Sequence, residues 1–545
     1  MNFCDAIVTA TERHPNRAAL EIPCAADDYQ SSETVSYTAL LARACSIQHG
    51  LLTAGLIQGD RVLILSRPGV GLYALLLALL GAGLVPVLVD RGMSRARALA
   101  AIRASGVKAA VGDYDILRLW WLLKPLWRLP RFALDGEGFG VRRLQQPAIT
   151  AASDFFCRSL PAEHHGLITF TSGSTGVPKG ADRTHQSLIA QHQAIREHWP
   201  ELDNEIDAPC FPVLVLHNLC CGIRTVLPAT DLAKPGAANA PQIARQFQER
   251  KVTRLACAPA FLARLVDYAL SEQLVFPSLR SVVIGGSTLP ERLAQQCQQV
   301  FPRARIRFVY GSTEAEPIAD IELPVLLQDW HSGEGHLVGK PAHMAEICLV
   351  APGRPLTTHQ QVQSARVPTG AVGEILVAGS HVLAGYVDNP AANQASKIPR
   401  PDGLTWHRTG DTGYLDDDGR LWLMGRVKDT LHHNGRHRHP LALEKHLDAL
   451  PGVERSAVLQ DQDAGANRLL IIIEGFSDAD DMAAVLQQLQ VTEARWATVD
   501  SMPVDGRHNS KIDRERLRDL LRRNKLKPQL LTLPPKTSAK VMGHV

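Results

Sequence analysis

The sequence predicts an α/β protein in two unequal parts. The larger is an N-terminal domain of parallel α/β sheets with a β-rich subdomain, and the smaller is a C-terminal α+β domain. Three observations carry this. Apolar strand-like runs alternate with helix-like segments through roughly the first 330 residues, as in parallel strands joined by crossover helices. From residue 334 the texture changes to short β-type runs, 346–350, 373–378 and 420–424, separated by turns such as Asp417-Asp418-Gly419. A basic, polar, aperiodic break over 425–440 then precedes a second, shorter alternation. A chain of 545 residues exceeds one ordinary core, so two or more domains are expected.

Residues 1–60 read as helical segments with one short strand, 34–37, leading into 39–52. The run 60–66 is a strand of β-branched and aliphatic residues. Residues 70–89 carry no charge, a span that hydropathy alone would assign to a membrane. Gly81, Gly83 and Pro86 break it, predicting a buried helix over 72–80 and a buried strand over 84–89. The next strand is 107–111. Residues 114–133 interleave Tyr114, Trp120, Trp121 and Trp127 with leucines and with Arg118, Lys124, Arg128 and Arg131. Aromatic and basic side chains together suit a membrane interface. The favoured reading is a helix packed on the body of the protein, the alternative a hydrophobic lip for a lipid-like substrate.

The segment 166–180 is the most informative. A strand-like run, 167–170, feeds a loop in which nine residues, 172–180, hold three hydroxyls, three glycines and one lysine. Glycines let a backbone approach an anion and aim N–H groups at it, hydroxyls add donors, and lysine adds charge. The order Lys179-Gly180 is not that of a Walker A loop, which ends Gly-Lys-Ser/Thr and opens a helix. Arg183 onward reads as a helix to His198. Beyond it, 209–228 is apolar and contains Phe211, His217 and Asn218. Strand-like 281–284 enters Gly285-Gly286-Ser287, and 307–310 ends in Gly311-Ser312-Thr313-Glu314. Polar loops after strands are where open α/β sheets hold ligands. Residues 440–524 read helix, strand, strand, helix, strand, then a charged helix from Asp513. The last twenty residues read as a loose tail.

Composition narrows the classes. Apolar content of 45% and charged content of 21% are those of a soluble globular protein, and a net charge of +3 gives no electrostatic case for nucleic acid. Ten cysteines show no C-x-x-C spacing, and the adjacent Cys220-Cys221 pair suits neither a disulfide framework nor a zinc site. Reduced thiols in a cytoplasmic protein are expected. The N-terminal residues lack the regions of a signal peptide. His432, His433, His437 and His439 lie on no regular face and read as a polar loop rather than a metal site.

Several motifs follow the 172–180 loop in order. They are Tyr310 to Glu314, Gly373-Glu374 with Gly385-Tyr386, Arg408 to Asp411, Gly425 to Asp429, and His508 to Lys511. This set resembles the adenylate-forming superfamily of acyl-CoA synthetases, peptide-synthetase adenylation domains and luciferases over roughly residues 10–525. The resemblance implies an N-terminal AMP-binding domain (1–426), a small mobile C-terminal lid (427–525) and a flexible tail (526–545). It implies an AMP-forming ligase that uses ATP and Mg²⁺ to turn a small-molecule acid into an acyl-adenylate. Thr171, Ser172, Gly173, Ser174, Thr175, Gly176 and Lys179 would grip the β- and γ-phosphates. Thr313 would donate to phosphate and Glu314 would hold the metal. Gly285, Gly286, Ser287, Tyr310, Gly311 and Ser312 would form the adenine side. Asp411 and Arg426 would take the ribose, Lys511 would bridge the α-phosphate and the substrate carboxylate, and Lys428 would be the hinge. Phe211, His217 and Asn218 would line the acyl site.

Finer texture resembles one branch, the β-lactone synthetases of olefin biosynthesis. The stretches are Arg67-Pro68, 85–93, Phe211-Pro212 with Asn218, 310–317 and 507–512. That branch implies a long-chain β-hydroxy acid whose own hydroxyl closes on the acyl carbon. The alternative is a fatty acyl-CoA synthetase or acyl-AMP ligase serving CoA or a carrier protein. Other pathway enzymes and a peripheral membrane contact are further expected partners.

Overall fold

The computed structural model describes residues 1–90, 92–147, 151–171, 178–461, 468–476, 478–504, 511–523 and 525–531. Among these, two large sheets build the N-terminal part. One has 7 strands, in the order Arg142–Arg143, Arg131–Ala133, Ala109–Gly112, Arg61–Leu65, Val85–Val89, His165–Thr171 and Lys179–Thr184. Every pairing is parallel except the last, an antiparallel hairpin that sets Thr171 opposite Lys179.

The charge-free run is the helix Val70–Ala82 followed by the strand Val85–Val89. The helix is apolar on all sides because it lies inside the protein, packed on the helix Tyr37–Thr53 in a shared core with Ile47, Leu51, Tyr73 and Leu77. Gly81 does not break it. A Cβ there would meet the Phe155 ring at 2.5 Å, so this glycine serves close packing. Gly83, in the left-handed region at φ +71°, is the stop. No helix among the described residues is long and apolar enough to cross a membrane.

The second sheet has 14 strands among the described residues. A parallel block, Arg224–Val226, Ile206–Pro209, Arg254–Cys257, Ser281–Gly285 and Arg305–Ser312, carries Ala18–Ala25 on its outer edge. That edge strand pairs antiparallel with Asp28–Ser36, so the expected 34–37 strand is the end of a longer hairpin. Beyond Arg305–Ser312 the sheet turns antiparallel through Ala315–Glu322, His336–Pro341, Leu421–Arg426, Thr405–Leu415, Gly373–Ala378 and Glu346–Val350. This is the β-rich subdomain that the short runs predict.

Strand Leu421–Arg426 is the last of this sheet in chain order, and a single 3-10 turn, Val427–Asp429, leads out of it. The C-terminal elements form a separate sheet of 4 strands, Val453–Gln460, Leu469–Gly475, Ala494–Val499 and Gln529–Leu531. Residues 529–531 fall in the segment expected to be a loose tail. They instead pair antiparallel with Ala494–Val499, and Leu531 is buried. The helix Pro440–Leu447 joins the two parts: Lys445 Nζ donates to the Trp330 carbonyl and, at 3.1 Å, to that of Gly333.

Candidate active site

The site forms where the long sheet reverses direction. Ser281–Gly285 and Arg305–Ser312 run parallel, with Gly285 opposite Val309. Ala315–Glu322 then returns antiparallel after a two-residue turn at Thr313 and Glu314. The side chains from Tyr310 to Glu314 are thereby gathered at the C-terminal end of the last parallel strand. Gly286 takes φ +92°, a backbone that L side chains rarely adopt. A Cβ on Gly285 would press on the Val309 carbonyl at 3.1 Å.

Two groups of side chains meet here. In the first, the Tyr310 hydroxyl donates to Asp411 Oδ2 at 2.6 Å, and Arg426 Nε lies 2.9 Å from Asp411 Oδ1. Asp411 and Arg426 are cross-strand partners, and Arg426 also donates to the Thr409 carbonyl at 3.1 Å. Burial and then the Asp411 charge push the Tyr310 phenol up, so it remains a donor. The sequence assigned these three residues to the nucleoside, and the fold brings them together across 101 positions from Tyr310 to Asp411.

The second group surrounds Glu314. The Tyr386 hydroxyl donates to Glu314 Oε1 at 2.7 Å. The cationic amines of Lys179 and Lys397 lie 5.2 Å and 5.7 Å from the Tyr386 ring centre. Lys397 Nζ also donates to the Leu383 carbonyl. Burial opposes a charge on Glu314, but His407, the Tyr386 hydroxyl and Lys397 outweigh it and hold the carboxyl at about 2. Burial brings Lys397 down to about 7, with Glu314 resisting and Lys179 adding to the fall. His407, the cross-strand partner of Lys397, is driven by burial to about 3.

Arg183 ties this cluster to the hairpin that carries the 172–180 loop. It donates to Thr169 Oγ1 at 2.7 Å and to the Thr313 carbonyl at 3.0 Å. Arg183 does not start a helix as the sequence suggested. It sits in the strand Lys179–Thr184, and Thr184 caps the helix His185–His198 by accepting from the Ser187 amide. The segment between Thr171 and Lys179 is therefore bounded by an antiparallel hairpin rather than opening directly into a helix. Ser172, Gly173, Ser174, Thr175 and Gly176 lie outside the described residues, and Thr171 ends the preceding strand.

Arg183, Lys397 and His407 carry no motif and were missed. Tyr386 was noticed only as part of a short pattern. The one sequence signal for His407 is its place between Trp406 and the Arg408–Asp411 motif, in a strand that is otherwise mostly polar.

Lys511 is exposed on the bend just before the helix Arg514–Arg522, and Lys428 is exposed in the 3-10 turn after Arg426. Arg514 Nη2 pairs with Glu444 at 2.5 Å, and Arg518 pairs with the buried Asp429 at 3.1 Å, so that helix is fastened to the segment after the junction.

The three expected acyl-site residues divide. Phe211 packs beside Trp199 and Leu214. His217 is buried against His192, with ring centres 4.9 Å apart. Asn218 is wholly buried, and its amide donates to Asp207 Oδ2 at 2.8 Å and Thr225 Oγ1 at 3.1 Å. We withdraw Asn218 from the acyl site, because its donors tie the helix Pro212–Cys221 to the sheet interior.

The Trp-rich segment is not one helix. It is a short helix, Tyr114–Leu117, two 3-10 turns, Trp120–Leu122 and Lys124–Leu126, and the strand Arg131–Ala133. Leu117 and Leu126 anchor it in the core, while Trp121 and Trp127 are 57% and 53% exposed.

The Tyr310–Asp411–Arg426 triad and the ionised Glu314 carboxylate meet at a sheet switch point, an arrangement in keeping with an enzyme that activates carboxylic acids as adenylates. The chain belongs to the AMP-binding enzyme family, whose model matches residues 7–387. Olefin β-lactone synthetases from Stenotrophomonas maltophilia and Xanthomonas campestris pv. campestris are 29% and 28% identical to it. Each match covers 89% of this chain and 90% of the relative. An acyl-CoA ligase from Aspergillus fumigatus is 24% identical over 78% of this chain and 73% of its own. Among solved structures, the amide bond synthetase of Marinactinospora thermotolerans superposes with a TM-score of 0.79 at 21% identity, covering 95% of this chain and 99% of that one. The o-succinylbenzoate coenzyme A synthetase of Bacillus subtilis, in complex with ATP and a magnesium ion, gives 0.74 at 20% identity, covering 94% and 99%.

The Lys397 amine is depressed from 10.5 to about 7 in the folded chain. Its contribution to stability is therefore complete above the unfolded value and is lost as pH falls through about 7. Unfolding free energy from urea titrations is expected to rise with pH between these limits by up to ~1.4 kcal/mol per pH unit for the one proton. Lys397→Met should flatten that part of the profile, and an unchanged slope would remove Lys397 as its source.

Proposed function

We propose that the chain adenylates a long-chain β-hydroxy fatty acid and then closes it to a β-lactone. In the first step a carboxylate oxygen attacks the α-phosphorus of ATP, pyrophosphate leaves, and an acyl-adenylate forms. In the second, the substrate's own β-hydroxyl oxygen attacks the acyl carbon, AMP leaves, and the hydroxyl proton passes to solvent. The observation that carries the first step is the pairing of the Tyr310–Asp411–Arg426 triad with the Glu314 cluster at one sheet reversal. Two anions must meet in that step, so positioning and charge stabilisation dominate the catalysis.

Asp411 would accept from the ribose hydroxyls and Arg426 would support it. Gly285, Gly286 and Ser287 with Tyr310 would form the adenine slot, flanked by Gly311 and Ser312. Lys179 and the 172–176 loop would hold the β- and γ-phosphates, and Thr313 would donate to phosphate. Glu314 fits a Mg²⁺ site: it is a hard oxygen donor kept ionised at about 2, and carboxylate with phosphate oxygens is the usual setting for that ion. When bound there, Mg²⁺ would offset the phosphate charge. Lys511 would neutralise the α-phosphate and the attacking carboxylate once the 427–525 lid closes about Lys428. Phe211 would face the acyl chain, with His217 behind it on the same helix, turned to His192 and Cys221.

The lactone reading is supported by the two β-lactone synthetase relatives over nearly the whole chain. It is also supported by the segment after the hinge, His432 to Pro440, where many superfamily members carry Lys-x-x-Gly-x-x-Ile/Val. A substrate that carries its own nucleophile has no need of a thiol arm in that place. The alternative reading, transfer to CoA or a carrier protein, draws on the acyl-CoA ligase relative.

A lipid-like substrate also gives the 114–133 segment a use. Exposed Trp121, Trp127 and Phe139 stand among exposed Arg118, Lys124 and Arg128, the composition of a contact with an anionic bilayer surface.

Incubation with ATP, Mg²⁺ and a 3-hydroxy fatty acid is expected to give β-lactone and AMP with no thiol present. Product that appears only after CoA or a carrier protein is added would favour the alternative. Lys511→Ala should lower acid-dependent ATP–pyrophosphate exchange by at least about 100-fold, the cost of one well-aimed charge donor, with ATP binding retained. Unchanged exchange would remove Lys511 from the step. Vesicles containing phosphatidylserine should sediment the full chain, and the Trp121→Ser, Trp127→Ser double variant should stay in the supernatant. Equal sedimentation of both proteins would discard the membrane contact.

A further inference from the structure

The helices His185–His198 and Pro212–Cys221 lie side by side and present three metal-ligating side chains to one another. His192 comes from the first, and His217 and Cys221, one turn apart, from the second. Donor atoms from all three fall within 4.8 Å of one another. His192 Nδ1 is 3.0 Å from His217 Nδ1, and Cys221 Sγ is 3.7 Å from His217 Nε2. In a tetrahedral site with metal–nitrogen bonds near 2.0–2.1 Å and a metal–sulfur bond near 2.3 Å, N···N and N···S separations come to about 3.3 Å and about 3.6 Å. Each neighbour of His217 is near that spacing from one of its two ring nitrogens, and one donor atom from each of the three residues lies within 4.8 Å of the others. His217 turns one nitrogen to each neighbour, so a single ion requires His192 and Cys221 to close on the same ring nitrogen, a side-chain rotation on fixed helices.

We propose that His192, His217 and Cys221 bind a borderline-soft divalent ion, Zn²⁺ in the first instance. Two imidazoles and a thiolate are the donor set such an ion prefers, and hard ions such as Mg²⁺ do not take it. The helices are set independently of any ion, one by the Thr184 cap and the other by the Asn218 contacts to Asp207 and Thr225. The backbone is thus prearranged for ligands. Glu201 bears on both His192 and Cys221 and, with the thiolate, would balance the charge of the ion against Arg196 and Arg254 nearby. Glu201 is held by Arg196, through Nε at 3.0 Å and Nη2 at 2.5 Å, so a water would take the fourth position. The adjacent cysteines, which at the level of sequence fit no metal spacing, differ in role: Cys221 faces the histidines, and Cys220 packs on the core formed by the helices Cys4–Arg13 and Val70–Ala82. The ion would lock the Phe211-bearing helix to its neighbour, bracing that wall of the proposed acyl site.

The test uses the full chain, stripped with a chelator under reducing conditions and then titrated with Co²⁺. One equivalent should bind and give the strong near-ultraviolet thiolate-to-metal band of a tetrahedral site, with Zn²⁺ displacing it. Cys221→Ala should abolish the band and weaken Zn²⁺ binding by more than the roughly 10- to 100-fold that losing even an outer partner costs. Cys24→Ala, at an exposed cysteine elsewhere, should leave both unchanged, as should a His432→Ala, His437→Ala double variant. Should Cys221→Ala fail to fold, the partly exposed His192→Gln takes its place, with a loss of the Zn²⁺-induced rise in Tm as the readout. Absence of a stoichiometric site, a band that survives Cys221→Ala, or a band lost in either control overturns the proposal.

Discussion

A buried carboxylate must be given partners, and most of the site can be read as the means of supplying them to Glu314. It stands on the turn where the long sheet passes from parallel to antiparallel, so no neighbouring strand covers it from its own segment. The partners come from far along the chain: the Tyr386 hydroxyl, Lys397 and His407. Leu383 fastens this group in place, donating its amide to the Glu314 carbonyl at 2.9 Å while its own carbonyl accepts from Lys397. The result is a carboxylate held ionised at low dielectric, with an amine beside it that burial keeps near its midpoint. Breaking such a group by removing one member is more disruptive than removing the whole, because a stranded buried charge is left behind.

The same constraint explains why the hairpin and the turn act as one unit. Arg183 reaches from the phosphate-loop hairpin to the Thr313 carbonyl, and Val387 donates its amide back to Gly180 at 2.9 Å. The hairpin that carries the phosphate loop and the turn that would hold the metal are therefore tied to each other through the Arg183 guanidinium. Relative placement of a nucleophile and an electrophile to within about an ångström is what such bracing provides.

What was legible in the sequence follows from range. The Tyr310–Glu314 turn and the Arg408–Asp411 segment are local patterns that the fold brings together at one sheet reversal, while most of the equally local 172–180 pattern lies outside the described residues. Lys397 and His407 are legible only as a pair, since a lone lysine in an alanine- and serine-rich stretch carries no periodicity, and their meaning arises from cross-strand register. The Ala18–Ala25 strand was unreadable because its partner, Asp28–Ser36, is polar and half exposed, as an edge hairpin can be. The tryptophans of 114–133 suggested a helix by density alone, while Pro125 and two short 3-10 turns govern the backbone there. Asn218 looked like a ligand contact because its helix reads as apolar. Its real partners, Asp207 and Thr225, lie on two neighbouring strands that only the fold brings under it.

The second half-reaction is where fold and site separate. A fold shared with an amide bond synthetase and a coenzyme A synthetase leaves the acceptor open, because one fold hosts more than one acceptor chemistry. The proposed lactone closure asks less of the lid than transfer to a second molecule does. An intramolecular hydroxyl arrives with an effective concentration that can reach ~10⁵ M or more when well oriented, so the enzyme has to fold the acyl chain rather than recruit a partner. The demand then falls on the acyl wall, the Phe211–His217 helix and its neighbour. That helix is tied to the sheet by Asn218 and to its neighbour by the His192–His217 contact. Rigidity is placed where an enzyme that bends its substrate back on itself would require it.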